Sequence, residues 1–184
     1  MLTKIERGQE DFDLVCPSEY IIERMLKKDL LVPINRNFGK TPDYIPNISP
    51  YIQKELEKIS QPGRHTNDYV VPYMWGTAGI LYNKKFKTLE EVSSWGCLWD
   101  AVNRGKILMK DSYRDAYGTA IIYAHARQLA DSTITVEQLM NDNSPEAIAL
   151  AEQYLKDLKP NIAGWEADFG KEMMTKNKAW LNLT

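Results

Sequence analysis

Two stretches of the 184-residue sequence place acidic, hydroxyl and phenol groups directly after a predicted strand. One is KDSYRDAYG, which carries Asp111, Ser112 and Asp115 at the start of a predicted helix. The other is VCPSEY, which carries Ser18 and Tyr20. In parallel α/β sheets, ligands bind where the carboxyl ends of strands meet helix N-termini. These five residues are therefore candidate ligand contacts, and acids beside aromatic rings suit a cation.

A structural role accounts for the same residues. Ser18 is a good helix N-cap and Tyr20 a first-turn packing residue, and position alone favours neither role. The carboxylates of Asp111 and Asp115 would stabilise a helix N-terminus through its dipole. No histidine or cysteine lies near them in the sequence, so no nucleophile–base pair is predicted. We predict no catalytic residue and no enzymatic activity.

Two further stretches leave alternatives open. The stretch VPYMWGTAGILYN contains Gly76 and Gly79, whose spacing fits neither the Walker phosphate-loop pattern nor the dinucleotide-binding pattern. Glycines among strand-forming residues indicate either close packing or backbone flexure, and a strand pair with flexible positions is suited to be a hinge between lobes. In NIAGWEADFGKEMM, the residues Trp165, Glu166 and Asp168 follow a predicted strand. They either hold an ammonium group or form a packed tryptophan with solvated acids.

Composition narrows the class of protein. Hydrophobic residues make up 43% and charged residues 26%, and the net charge is -2, which is typical of a soluble globular protein and argues against a nucleic-acid partner. Cys16 and Cys97 lie in unrelated contexts, which favours two separate buried thiols over a disulfide. His65 and His125 are far apart, so neither a metal site nor a cofactor is predicted. Met1 is followed by a polar helical segment instead of a signal peptide, so we expect the export signal to lie outside this chain.

Strand and helix patterns alternate along the chain, which predicts an α/β fold. The predicted strands are 12–16, 69–73, 76–83, 106–110, 161–165 and 179–183. The predicted helices are 2–7, one capped by Ser18, one starting at Pro50, 89–102 with an interruption near Trp95, one running from Ser112 to about Ala130, two starting after Thr135 and Ser144, and 167–176.

Four stretches together resemble the polyamine-binding receptors of bacterial ABC importers: FDLVCPSEYIIERM, VPYMWGTAGILYN, KILMKDSYRDAYG and IAGWEADFGKEMM. They occur in the family's order and at similar intervals. The resemblance implies a periplasmic-binding-protein fold of type II, in which two α/β lobes close over putrescine or spermidine. It also implies delivery to membrane permease subunits and an extracytoplasmic location, in the periplasm or as a lipoprotein.

The resemblance also assigns roles to residues. Ser18 and Tyr20 match a site segment of the first lobe, and the stretch 111–115 matches the acidic segment of the second. Asp115 corresponds to an acid, usually a glutamate, that recognises an ammonium group. Ser112 stands where some members carry an aspartate, which leaves the choice between putrescine and spermidine open.

Matched to the family, residues 1–72 form part of the first lobe, 73–178 the second lobe with the first hinge strand, and 179–184 the start of the return hinge strand. The second lobe would then be nearly complete and the first partial, and unpaired strand edges would favour self-association. Two other interpretations stay open. One is a type II receptor for another solute, such as an amino acid, another organic amine or an iron complex, and the other is a transferase on the same fold.

Overall fold

The computed structural model describes residues 2–43, 45–167 and 169–184. The chain divides into two compact units, Met1–Gly76 and Thr77–Thr184, and each is described by itself. Within the described residues, no helix combines the length and the apolar composition that crossing a bilayer requires.

The first unit is mainly helical where it is regular. Its helices are α1 (Leu2–Glu6), α2 (Glu19–Lys27) and α3 (Pro50–Glu57), with short 3-10 turns at Ile45–Asn47 and Thr66–Asp68. Helix α2 buries Ile22, Met25 and Leu26, whose spacing of three and one places them on one face. Arg64 secures the end of this helix, because it donates to the Leu26 carbonyl at 2.8 Å and pairs with Asp29 at 2.7 Å.

Two predicted strands of this unit are wrong. Residues 12–16 and 69–73 form no strand, and Leu14 and Tyr73 are 88% and 80% exposed. An apolar run forms a strand only when a neighbouring strand accepts and donates its backbone hydrogen bonds. In the described part of residues 1–76, such pairing is limited to an isolated bridge between Gln61 and Arg64.

The second unit contains a four-stranded sheet. Its strands are β1 (Ile80–Tyr82), β2 (Ile107–Lys110), β3 (Ile162–Glu166) and β4 (Leu181–Leu183), in the order β1-β4-β2-β3. Strand β2 is parallel to both β3 and β4, whereas β1 is antiparallel to β4. The strands predicted at 106–110, 161–165 and 179–183 are confirmed to within one or two residues at each end, and the strand predicted at 76–83 is reduced to Ile80–Tyr82.

The two faces of the sheet differ in chemistry. One face carries the main core, with the side chains of Leu98, Ile107, Met109, Leu158, Leu181 and Leu183. On β2, the alternate residue Leu108 points away from this core and is fully buried on the opposite face. Its neighbours in register are Gly164 on β3 and Asn182 on β4. A polar residue therefore lies at the centre of the second face.

Three described helices of the second unit begin where the sequence predicts, after Ser112, Thr135 and Ser144, whereas the helix predicted at 167–176 begins at Gly170. The helices of this unit are α4 (Tyr113–Ala124), α5 (Ala126–Ala130), α6 (Val136–Asn141), α7 (Pro145–Leu158) and α8 (Gly170–Thr175). Side-chain hydroxyls of Ser112, Thr135 and Ser144 accept hydrogen bonds from the first turns of α4, α6 and α7. The long helix predicted from Ser112 is interrupted at His125, whose backbone leaves the helical conformation.

The helix predicted at 89–102 is instead three short 3-10 turns, Glu90–Val92, Trp95–Trp99 and Ala101–Asn103. Two buried asparagines hold these turns in place. The Asn103 side chain donates to the Cys97 carbonyl at 2.8 Å, and the Asn161 side chain donates to the carbonyls of Leu98 and Asp100 at 2.8 and 3.0 Å. Because side chains satisfy these carbonyls, the segment does not need a regular helix.

Candidate functional site

The turn between β2 and α4 carries three of the predicted site residues. The Ser112 hydroxyl accepts from the Asp115 backbone N–H at 3.3 Å, which makes Ser112 the N-cap of a twelve-residue helix. A hydroxyl oxygen has two lone pairs, so one acceptor position remains for a ligand. Asp111 is exposed, and Asp115 is half-buried in the first turn. The turn thus gathers two carboxylates and a hydroxyl at the carboxyl end of a parallel strand.

The backbone of this turn is fixed from two sides. The Asp111 N–H donates to the Glu166 carbonyl at 2.9 Å, which extends the β2–β3 pairing by one residue. Within α4, the Thr119 hydroxyl donates to the Asp115 carbonyl at 2.8 Å. The positions of Asp111 and Asp115 are therefore set by the end of β3 and by the helix itself.

The end of β3 excludes one of the two alternatives that the sequence leaves open for Trp165 and Glu166. Trp165 is 45% exposed, whereas Glu166 is only 4% exposed. Because side chains alternate along a strand, Glu166 lies on the same face as Gly164, which pairs with Leu108, and Trp165 points to the other face. The expectation of a packed tryptophan with solvated acids is wrong for this pair. Asp168 lies outside the described residues.

The buried Glu166 carboxylate has two hydrogen-bond donors. Its Oε1 accepts from the Asn182 side-chain amide at 3.0 Å, and its Oε2 accepts from the Gly170 backbone N–H at 3.0 Å. A buried carboxylate is costly unless donors surround it, and these two bonds lower that cost. The Asn182 Oδ1 is buried and has no hydrogen-bond partner among the described residues.

The other predicted contacts belong to the first unit. Ser18 precedes α2 with an extended backbone, and its carbonyl accepts from the N–H groups of Ile21 and Ile22 at 3.0 and 3.2 Å. Its side chain is exposed and makes no capping hydrogen bond to the helix. Tyr20 is half-buried in the first turn of α2. Ser18 therefore holds the N-cap position while its hydroxyl stays uncommitted to the helix.

The cysteines and possible metal ligands offer no reactive centre in the described part of the chain. Both thiols are free, and Cys16 is exposed, which contradicts the prediction of two buried thiols. Burial raises the pKa of the Cys97 thiol, although the nearby Lys87 opposes the rise, so this thiol stays protonated at neutral pH. Residues 2–43, 45–167 and 169–184 contain no cluster of three or more potential metal ligands.

Sequence reasoning overlooked two residues that support the site. Asn182 appeared as part of an apolar strand, and Gly170 as part of a short helix. The available signal was the alternation along β3 and β4, since Glu166 and Asn182 each stand between residues of the opposite face. Two polar residues on the same buried face of β3 and β4, the strands on either side of β2, need hydrogen-bond partners and can provide them to each other.

The comparison with protein families identifies the class. The family model of the bacterial extracellular solute-binding proteins matches residues 1–183. The chain belongs to this family, and its α/β fold is that of the type II periplasmic binding proteins. The predicted family and fold class are confirmed.

The names of several similar proteins contain the polyamines spermidine and putrescine. The chain is 29% identical over 157 residues to the spermidine/putrescine-binding periplasmic protein of Escherichia coli K12, covering 85% of this chain and 39% of that protein. It also resembles the spermidine/putrescine ABC transporter substrate-binding protein PotD of Streptococcus pneumoniae, at 29% identity and a TM-score of 0.64, over 99% of this chain and 50% of that one.

A third relative is a putative spermidine/putrescine ABC transporter protein of Listeria monocytogenes, at 26% identity and a TM-score of 0.76, which covers 100% of this chain and 50% of that one. The chain thus spans about two fifths to one half of the length of these relatives. Their names describe the binding or the transport of spermidine and putrescine.

Proposed function

We propose that this chain is the solute-recognising part of a receptor for an ABC importer, and that its solute is a polyamine, putrescine or spermidine. The observation that carries the proposal is the turn 111–115, where Asp111, Ser112 and Asp115 stand together at the carboxyl end of β2. The names of the matched relatives support the same ligand.

The chemistry of the turn suits an ammonium group. An alkylammonium has three N–H donors and a positive charge, and burying it without acceptors is very costly. Asp115 is the best-placed acceptor, because it is half-buried and its backbone is fixed by the helix. Asp111 and the second lone pair of Ser112 supply further acceptors. Ser18 and Tyr20 are proposed solute contacts on the first unit, from their match to the family's site segment.

The division of the chain supports the proposed lobes. The boundary between the compact units lies at Gly76, inside the stretch interpreted as a hinge. We assign residues 1–72 to part of the first lobe, 73–178 to the second lobe with its hinge strand, and 179–184 to the return strand. The receptor would act outside the cytoplasm and deliver its solute to membrane permease subunits.

A thermal-shift panel tests the proposed function. The complete gene product that contains these 184 residues is heated in the presence of putrescine, spermidine, amino acids, other organic amines or iron complexes. Each solute is tested over the same series of concentrations. A ligand at 100 times its Kd stabilises a protein by about 2.7 kcal/mol, which raises Tm by several degrees. We expect a rise with putrescine or spermidine. A rise with another solute and none with polyamines would refute the proposal and favour the alternative receptor.

A further inference from the structure

The last hydrogen bond between β2 and β3 joins the candidate site to one buried residue. The Glu166 carbonyl accepts the Asp111 N–H at 2.9 Å, one residue before the Ser112 cap. The side chain of the same Glu166 reaches Asn182 on β4 and the first residue of α8, Gly170. One residue thus joins the acidic turn, strand β4 and helix α8.

The hydrogen bond to Asn182 spans the middle strand. In the sheet order β4-β2-β3, the Glu166 and Asn182 side chains meet across β2. Neighbouring strands lie about 4.8 Å apart, so the two side chains together cover about two strand spacings. The bond holds the outer strands of this trio together on the face that carries Leu108.

The approach of α8 to this bond is close enough to require glycine. A Cβ on Gly170 would lie 2.6 Å from the Glu166 Oε1 and also collide with the Asn182 amide nitrogen. Both atoms are buried and hydrogen-bonded, so neither can move without losing a bond. The packing of α8 against the sheet therefore depends on Glu166, Asn182 and Gly170 together.

We propose that Glu166 is a positioning residue of the solute site, which holds the acidic turn 111–115 in its binding geometry without contacting the solute. The inference rests on the proposed function, because the turn is the polyamine site named there. Through its side chain, Glu166 fixes the end of β3 against β4 and α8. Through its carbonyl, it then fixes Asp111, and with it the Ser112 cap and Asp115.

The Asn182 Oδ1 allows this role to be tested with a variant that removes the charge of Glu166 and keeps its hydrogen bonds. In Glu166→Gln, the new side-chain oxygen can accept from the Gly170 N–H. The new amide can donate to Asn182 Oδ1, once the Asn182 side chain turns over and presents the oxygen that has no partner among the described residues. Both links survive while the negative charge is removed. Glu166→Ala removes both links.

The binding experiment compares these two variants in the complete gene product by calorimetric titration with putrescine and spermidine. A site held loosely loses affinity even when its contact residues are intact. We expect Glu166→Gln to bind within about threefold of wild type and folded Glu166→Ala to bind at least about tenfold more weakly. Wild-type affinity in folded Glu166→Ala would overturn the proposal. A loss in Glu166→Gln as large as in Glu166→Ala would also overturn it, because the charge and not the positioning would then matter.

A glycine pair provides a matched control that removes no polar group. Gly170→Ala forces the crowded Glu166–Asn182 bond apart, whereas a Cβ on Gly164 of β3 would meet its nearest atom, on Leu108, at an ordinary 3.8 Å. We expect Gly170→Ala to weaken polyamine binding like Glu166→Ala and Gly164→Ala to leave it unchanged. Equal affinities of the two folded alanine variants would contradict the proposed positioning.

Hydrogen exchange gives a measurement that depends on neither the ligand nor a destabilised variant. In the wild-type protein, the Asp111 amide should exchange at least about tenfold more slowly than an unbonded turn amide, and Glu166→Gln should preserve this protection. An unprotected Asp111 amide would overturn the proposal even if Glu166→Ala fails to fold. If wild type binds no polyamine, the proposed function fails, while the exchange data still decide whether Glu166 holds the turn.

Discussion

The Asn182 amide donates to the Glu166 carboxylate at 3.0 Å across strand β2, and both side chains are almost completely buried. Removing one partner of a buried charged hydrogen bond costs more than removing both, because the remaining group is left without its donor. This asymmetry makes the pair testable by stability alone.

We predict strong coupling between these two positions. Asn182→Ala should lower the free energy of unfolding by about 3 kcal/mol, because a buried carboxylate loses a donor. In the Glu166→Gln background, the same change should cost less by about 1 kcal/mol or more, since no charge is stranded. Urea unfolding of the four proteins measures this coupling. Additive effects would show that the negative charge of Glu166 does not strengthen its bond with Asn182.

Asn161 provides a second prediction, for the irregular segment 95–103. Its buried side chain donates hydrogen bonds to two carbonyls, and each buried carbonyl left without a donor lowers the free energy of unfolding by about 1–3 kcal/mol. Asn161→Ala should therefore destabilise the protein by about 2–4 kcal/mol. Asn141→Ala is the matched control, because Asn141 is exposed and makes one bond, to the Glu137 carbonyl at 2.9 Å. Similar losses in the two variants would contradict the clamping role of Asn161.

Glu57 gives a pH-dependent prediction for the first unit. The Ser60 hydroxyl is the main cause that holds the pKa of Glu57 below its ordinary 4.5; burial opposes it, and Asn67 and His65 add to the lowering. A carboxyl with a depressed folded pKa stabilises the protein above its unfolded pKa, and this stability is lost as the pH falls through the folded value.

The stability difference between wild type and Glu57→Gln, followed from about pH 5 downwards, should therefore shrink as the pH falls below about 4.5. Urea unfolding across this range measures it. The opposite trend, a difference that grows on acidification, would mean that the pKa of Glu57 is raised in the folded state.

The sequence predicts the second unit better than the first for a physical reason. Ser112, Thr135 and Ser144 cap helices through local hydrogen bonds, so residue type and spacing suffice to find them. Strands β2 and β3 follow from short apolar runs. The runs at 12–16 and 69–73 look the same locally, yet they form no strand because pairing depends on a distant partner.

The candidate site also has one part that the local sequence predicts and another part that depends on distant residues. The turn 111–115 was found because its acids and hydroxyl stand next to a strand in the sequence. The bond from Glu166 to Asn182 was missed because its residues are 16 positions apart and meet only through the strand order. The need for glycine at 170 arises from packing against that bond, which no local pattern reveals.

Calorimetric titration of putrescine and spermidine into the complete gene product and its Asp115→Ala variant tests the central claim most directly. Asp131→Ala serves as control, because Asp131 follows α5 with its side chain exposed, away from the 111–115 turn in the sequence. Leaving a bound ammonium without its acid costs about 2–5 kcal/mol, a weakening of about 30-fold to several thousand-fold. We expect this loss in Asp115→Ala and none in Asp131→Ala. Polyamine affinity that is unchanged in Asp115→Ala would contradict the assignment of the site.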